Sequence, residues 1–357
     1  LGELGRYEEA LPLGQRALAV TEGALGPDHP ATAIRLGNLA TTLGELGRYE
    51  EALPLGQRAL AVTEGALGPD HPATAIRLGN LATTLDELGR YEEALALGQR
   101  VLTVTEAALG PDHPTTAISL GNLAMTLDAL GRYEEALPLK QRALSVTEGA
   151  LGPDHPNTAI SLGNLARTLS ELGRYEEALP LKQRALAVTE VALGPDHPAT
   201  AISLGNLATT LGELGRYEEA LPLKQRALSV TEAALGPDHP DTAISLGNLA
   251  RTLSELGRYE EALPLEQRAL SVTEVALGPD HPTTAISLGN LAMTLDALGR
   301  YEEALPLGHR ALSVTEGALG PDHPDTALRL GNLARTLSEL GRYEEALPLE
   351  QRVLTVT

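Results

Sequence analysis

Three sets of residues have types and spacings that bear on chemistry. The first is an Asp-His pair inside GPDHP, met at Asp28-His29 and again every 42 residues to Asp322-His323. Carboxylate and imidazole bind metals and move protons. Here the two are adjacent, and stacked copies would stand about 10 Å apart, the helix-packing distance. Zinc needs ligand bonds of about 2 Å. The pair therefore reads as a helix cap, and no metal is expected. The second set is Glu50-Glu51 and its copies, an acidic pair that suits a helix N-terminus. The third is Asn38, which returns as Asn80, Asn122, Asn164, Asn206, Asn248, Asn290 and Asn332. Asn is a mediocre helix former, so eight copies within a helical pattern need a reason. A hydrogen bond between helices is one. No Walker loop, GxSxG, HExxH or convergent acid pair is found. There is no Cys, which removes disulfides, thiolate metal sites and Cys nucleophiles. An enzyme is the least expected class, and no cofactor is implied.

All three sets ride on one period. LGNLATTLGELGRYEEA, at Leu36 to Ala52, returns with small changes at Leu78, Leu120, Leu162, Leu204, Leu246, Leu288 and Leu330, always 42 residues on. A fixed period in the range of about 20–50 residues marks a repeat array. The 357 residues hold about eight and a half units, expected to form a single array over 1–357.

Within one unit, Leu25-Gly26-Pro27 stops a helix, because Gly suits the left-handed C′ position and Pro cannot continue it. Asp28 or His29 caps the next helix, with Pro30 in its first turn. Helix A is expected over Pro30 to Leu46, with Ile34, Leu36, Leu39, Ala40, Leu43 and Leu46 at helical spacing. Gly47-Arg48 makes the turn. Helix B is expected from Tyr49 to Leu67, with Ala52, Leu53, Leu55, Ala59, Leu60 and Val62 on its apolar side. Pro54 inside helix B predicts a bend. Gly37, a Gly in all eight copies, costs helix A about 1 kcal/mol relative to Ala. Either a backbone packs closely there or that surface must stay open.

These residues resemble tetratricopeptide repeats. The family's small–large pattern stands in Leu39-Ala40, Leu43, Gly47-x-Tyr49, Ala52 and Ala59. The usual 34-residue unit has a Trp where this chain has Leu36. It has an aromatic where this chain has Gly56, which becomes Lys or Glu in later copies. The 42-residue form is similar to kinesin light chains and to bacterial tandem arrays. The resemblance implies an all-α fold, a right-handed α-solenoid of stacked antiparallel helix pairs, with helix A lining a concave groove and helix B outside. Stacked pairs share the core that one pair cannot make alone. Eight A and nine B helices are expected. The chain opens in mid-motif without Met, so a longer array is expected, and unpaired ends invite end-to-end self-association.

In kinesin-light-chain-type and chaperone-binding repeats, an Asn at the matching position bonds the backbone of a bound peptide. The resemblance thus implies a ladder from Asn38 to Asn332. Chaperone-type repeats add a Lys that clamps a terminal carboxylate, and Gly37 stands in its place, so such a clamp is not expected. Arg167, Arg251 and Arg335 form local basic spots. They belong to a varying position that also reads Thr41, Thr83, Met125, Thr209 and Met293. A second varying position reads Arg35, Arg77, then Ser119 to Ser287, then Arg329; a third reads Gly44, Asp86, Asp128, Ser170, Gly212, Ser254, Asp296, Ser338. Either the groove is diversified for a partner or an exposed face has drifted. Identity between 115–131 and 283–299 points to duplication of a four-repeat block.

The net charge of -21 opposes nucleic acid and anionic lipid and favours neutral or basic protein or peptide partners. No apolar run approaches the 18 or so residues of a membrane span. A cytoplasmic protein-interaction scaffold is the expectation. A ligand-sensing region of a larger bacterial signalling protein and a purely architectural array are the alternatives.

Overall fold

The computed structural model describes residues 6–356. Among them are seventeen helices and no strand. Two compact units divide the chain between Val188 and Thr189. The first holds α1 (Tyr7–Leu25), α2 (Pro30–Glu45), α3 (Tyr49–Leu67), α4 (Pro72–Glu87), α5 (Tyr91–Leu109), α6 (Pro114–Ala129), α7 (Tyr133–Leu151) and α8 (Pro156–Glu171). The division falls inside α9 (Tyr175–Leu193). The second unit holds α10 (Pro198–Glu213), α11 (Tyr217–Leu235), α12 (Pro240–Glu255), α13 (Tyr259–Leu277), α14 (Pro282–Ala297), α15 (Tyr301–Leu319), α16 (Pro324–Glu339) and α17 (Tyr343–Val356).

The boundaries follow from local punctuation. His29, not Asp28, is the cap: its Nδ1 accepts from the Ala31 amide at 3.1 Å, and Pro30 follows in the first turn. The same bond recurs at all eight GPDHP motifs, from His71 to His323. The connector is tied down by Thr32, fully buried, whose hydroxyl donates to the Gly26 carbonyl at 2.8 Å. Gly47 takes φ 69° at the turn into α3, a left-handed conformation that suits glycine. The Arg48 amide then reaches back to the Leu43 carbonyl at 2.8 Å. Arg48 also forks onto Glu51 at 2.7 and 2.8 Å and holds that carboxyl below its ordinary pKa. Helix B runs unbroken from Tyr49 to Leu67 through Pro54.

In the first unit α2, α4 and α6 each pack on their own B helix and on the B helix before it, and α12, α14 and α16 do the same in the second. In the first unit, Leu11 and Leu18 of α1 meet Leu36, Leu39 and Leu43 of α2 and Ala52 and Ala59 of α3 in one cluster. Leu305 and Leu312 of α15 meet Leu330, Leu333 and Leu337 of α16 the same way in the second unit. The core therefore belongs to three helices at a time, which is why one pair cannot hold it. Each unit is a solenoid segment of stacked antiparallel pairs. Successive B helices are also bridged by an Arg and a Glu 36 residues apart, as in Arg100 to Glu64 at 2.6 Å and Arg226 to Glu190 at 2.5 Å. Such half-exposed pairs add little stability each, but they fix the register of one repeat on the next.

One core assignment is corrected. Ile34 is exposed, as are Ile76, Ile118, Ile160, Ile202, Ile244 and Ile286. Ile34 and Leu36 lie about 200° apart around a helix of 3.6 residues per turn. With Leu36 fully buried, Ile34 must face away from the core.

Candidate peptide-binding face

Four residues after each exposed Ile comes the Asn of the repeat, on the same side of the A helix. Asn38, Asn80, Asn122 and Asn206 are exposed, and Asn164, Asn248, Asn290 and Asn332 are half-buried. Among the described residues none of the eight amides bonds a neighbouring helix. Seven of their backbone carbonyls accept from Thr side chains, as Thr42 donates to Asn38 at 3.0 Å. The Asn332 amide nitrogen is buried without a partner. The inter-helix hydrogen bond that would explain these residues structurally is therefore not made.

The face opens into cavities between adjacent repeats. In the first unit, Ile118, Asn122, Met125, Lys140, Ile160, Ser161 and Asn164 line one of about 350 Å³. In the second, Ile202, Asn206, Thr209, Lys224, Ile244, Ser245 and Asn248 line one of about 370 Å³. A third, of about 500 Å³, gathers Arg251, Asn290, Met293 and Arg335 with Glu266 and Asp296. Asn80 lines a fourth, of about 530 Å³, with Gly37, Gly56 and Arg77. Met125 and Met293 are exposed, and Arg167 is half-exposed with its Nη2 3.3 Å from Asp128.

No backbone packs against the helix A glycine; two copies meet a side chain instead and the others are open. At Gly37 and Gly289 the guanidinium of Arg77 and of Arg329 lies where a Cβ would go. Burial lowers the pKa of both arginines, and each keeps an unpartnered Nε. At Gly79, Gly121, Gly163, Gly205 and Gly247 the next repeat offers Ser, and a Cβ would meet nothing within 4 Å. Gly121→Ala should therefore recover the helix propensity, up to about 1 kcal/mol, seen as a higher melting temperature. Gly37→Ala, which must displace Arg77, should show none of that gain.

Of the charges that replace Gly56 in later copies, Lys140, Lys224 and Glu266 turn inward, while Glu350 is exposed. Lys140 is 2 % exposed and paired with Asp128, and burial pushes its pKa down against the pull of that carboxylate. Lys224 donates to the Gly205 carbonyl at 3.1 Å and to Thr209 at 2.9 Å. Glu266 is 2 % exposed, its Oε2 has no partner, and burial raises its pKa to about 8. From sequence this position looked like a lost aromatic. Its swing between Gly, Lys and Glu was the only visible signal.

The tetratricopeptide repeat profile matches the chain in overlapping stretches from 1–64 through 129–190 and 169–232 to 289–357, leaving no part uncovered. The chain belongs to the tetratricopeptide repeat family. No curated protein matches it. Among solved structures, this tetratricopeptide array is similar to the nearly identical TPR-like repeats of a kinesin-light-chain-type protein from Podosopora anserina. Identity there is 26 %, with a TM-score of 0.53, over 58 % of this chain and 98 % of that one. BtubC (BKLC) from P. vanneervenii is 19 % identical with a TM-score of 0.54, over 63 % of this chain and 90 % of that one. The quorum sensor NprR from B. thuringiensis, in its apo form, is 15 % identical with a TM-score of 0.66, over 92 % and 88 %. Tetratricopeptide arrays are protein-interaction scaffolds, and no described helix is long and apolar enough to cross a membrane.

Proposed function

We propose that the A-helix face holds an extended peptide, whose backbone bonds the Asn ladder while its side chains enter the cavities between repeats. The carrying observation is that the eight amides, four in each unit, stand at the same position of their A helices with no intramolecular partner. Half-buried polar groups such as those of Asn164, Asn248, Asn290 and Asn332 are normally satisfied, and an Asn amide offers both the donor and the acceptor that a peptide unit needs. The exposed isoleucines and Met125 and Met293 supply apolar contact. A charge of -21 favours neutral or basic sequences. The reading is non-catalytic.

A charge-diverse peptide library passed over the immobilised chain tests this. One retained peptide is then titrated against the native chain and against Asn80→Ala/Asn122→Ala/Asn164→Ala, all within the first unit. Three hydrogen bonds of about 1 kcal/mol each predict affinity about 100-fold weaker, with helicity kept because Ala is the better helix former. Failure of the native chain to retain any peptide, or equal affinity of the variant, contradicts the proposal.

A further inference from the structure

The repeats contain their own comparison for one buried charge. Residues 115–156 match 283–324 except that Lys140-Gln141 becomes Gly308-His309, and 162–172 match 330–340 throughout. In the first copy Lys140 Nζ donates to Asp128 Oδ2, to Thr168 Oγ1 at 2.6 Å and to the Asn164 carbonyl at 3.3 Å. Three acceptors meet the three donors of one ammonium. In the second copy the acceptors persist as Asp296, Thr336 and the Asn332 carbonyl. Thr336 donates to Asp296 Oδ2 at 2.8 Å, and Arg335 lies 3.6 Å from the same oxygen. Asp296 Oδ1 has no partner, although the side chain is only 8 % exposed. The lysine's place is taken by half-buried Gly308, where a Cβ would meet only Leu333 Cδ1, at 3.3 Å. The arrangement recurs once more. Thr126 donates to Asp86 Oδ2 at 3.0 Å, Asp86 Oδ1 is unpartnered, and the lysine's counterpart is Gly98.

We propose that Asp296, with Thr336 and the Asn332 carbonyl, receives a primary ammonium from outside the chain, standing where Lys140 Nζ stands at Asp128, and that Asp86, with Thr126 and the Asn122 carbonyl, is a second such receptor. The partner group is a lysine side chain or an amino terminus of a bound peptide. This identity of the partner rests on the reading of the A-helix face, whereas the receptor can be tested without it. A buried carboxylate oxygen with no partner is unfavourable, and burial raises the pKa of both Asp86 and Asp296, in Asp296 against the pull of Arg335. An ammonium fits better than a guanidinium. Its three donors point to three separate acceptors, while the planar fork of Arg is suited to both oxygens of one carboxylate, and Arg335 already approaches Asp296 from the open side.

The test is calorimetric titration of the full chain with n-butylammonium at matched ionic strength, with butan-1-ol as the uncharged control. The native chain should take up two equivalents, Gly308→Lys one and Gly98→Lys/Gly308→Lys none, because each new lysine fills the site from within. These variants should fold, since Lys already stands at this position in Lys140, Lys182 and Lys224; circular dichroism checks it. Asp296→Asn should weaken uptake at its site about tenfold or more, the loss expected for a charge-assisted bond. No uptake by the native chain, or equal uptake by the double variant, overturns the proposal. Uptake of n-butylammonium by a chain that retains no peptide would uphold the receptor and overturn the peptide-binding reading alone. A retained lysine peptide that binds the native chain and the double variant equally would overturn the assignment of the partner group.

Discussion

Glu266→Gln should stabilise the chain by about 3 kcal/mol at pH 7 and by nothing below about pH 4. The Glu266 carboxyl is 2 % exposed, its Oε2 is unpartnered, and its pKa rises from 4.5 to about 8 through burial. Between those two values the folded chain keeps a proton that the unfolded chain has released. The contribution of the neutral carboxyl is therefore complete below about pH 4.5, is lost progressively as pH rises, and is gone above about pH 8. Gln cannot ionise and so removes the slope. The buried Ser254 hydroxyl on the same cavity wall is also unpartnered, and burial is the one cause of the Glu266 shift, with no opposing pull from a cation. Urea unfolding of both proteins from pH 4 to pH 9 gives the difference directly. Parallel curves would show that Glu266 is solvated in the native chain.

Lys140→Met should cost about 3 kcal/mol, because removing one partner leaves a buried charge uncompensated. The expected cost is at the lower end of the range for broken buried pairs, since Arg167 still reaches Asp128 at 3.3 Å. Adding Asp128→Asn should recover most of the loss, as replacing both charges of a buried pair is often close to neutral. Urea unfolding of the single and double variants checks this, and equal stability of the two would mean that Asp128 never depended on the lysine. Asp86 and Asp296 are natural versions of the single variant. That the chain carries them at all gives the external ammonium its physical motive.

Helix boundaries were legible in the sequence because their causes are local. His29 and Pro30 start α2, Gly47 turns it into α3, and Gly26 ends α1, all within a few residues of the bonds they control. The shared core was legible for the same reason, as Leu36, Leu39 and Leu43 declare a helix face by spacing. Ile34 misled because it neighbours that face in sequence while pointing away from it. What stayed hidden depends on contacts 12 to 40 residues apart, such as Lys140 with Asp128 or Thr126 with Asp86. No periodicity shows that a Gly-to-Lys change in helix B meets a Gly-to-Asp change in helix A. The Arg77 guanidinium over Gly37 is a contact of the same kind, set by how repeats stack. The Asn ladder was visible as a list of positions, and the structure added that the amides lack partners in the chain.

The chain has only two methionines, Met125 in the first unit and Met293 in the second, and both lie on the A-helix face. A spectrum of the chain labelled with carbon-13 at the methionine methyls, recorded while a retained peptide is added, therefore reports occupancy of that face alone. Saturable movement of the Met125 signal at the affinity measured by titration, lost in Asn80→Ala/Asn122→Ala/Asn164→Ala, is the predicted result. A peptide that binds tightly while both methyl signals stay in place would contradict the account, because it would put the interaction surface somewhere other than the A helices.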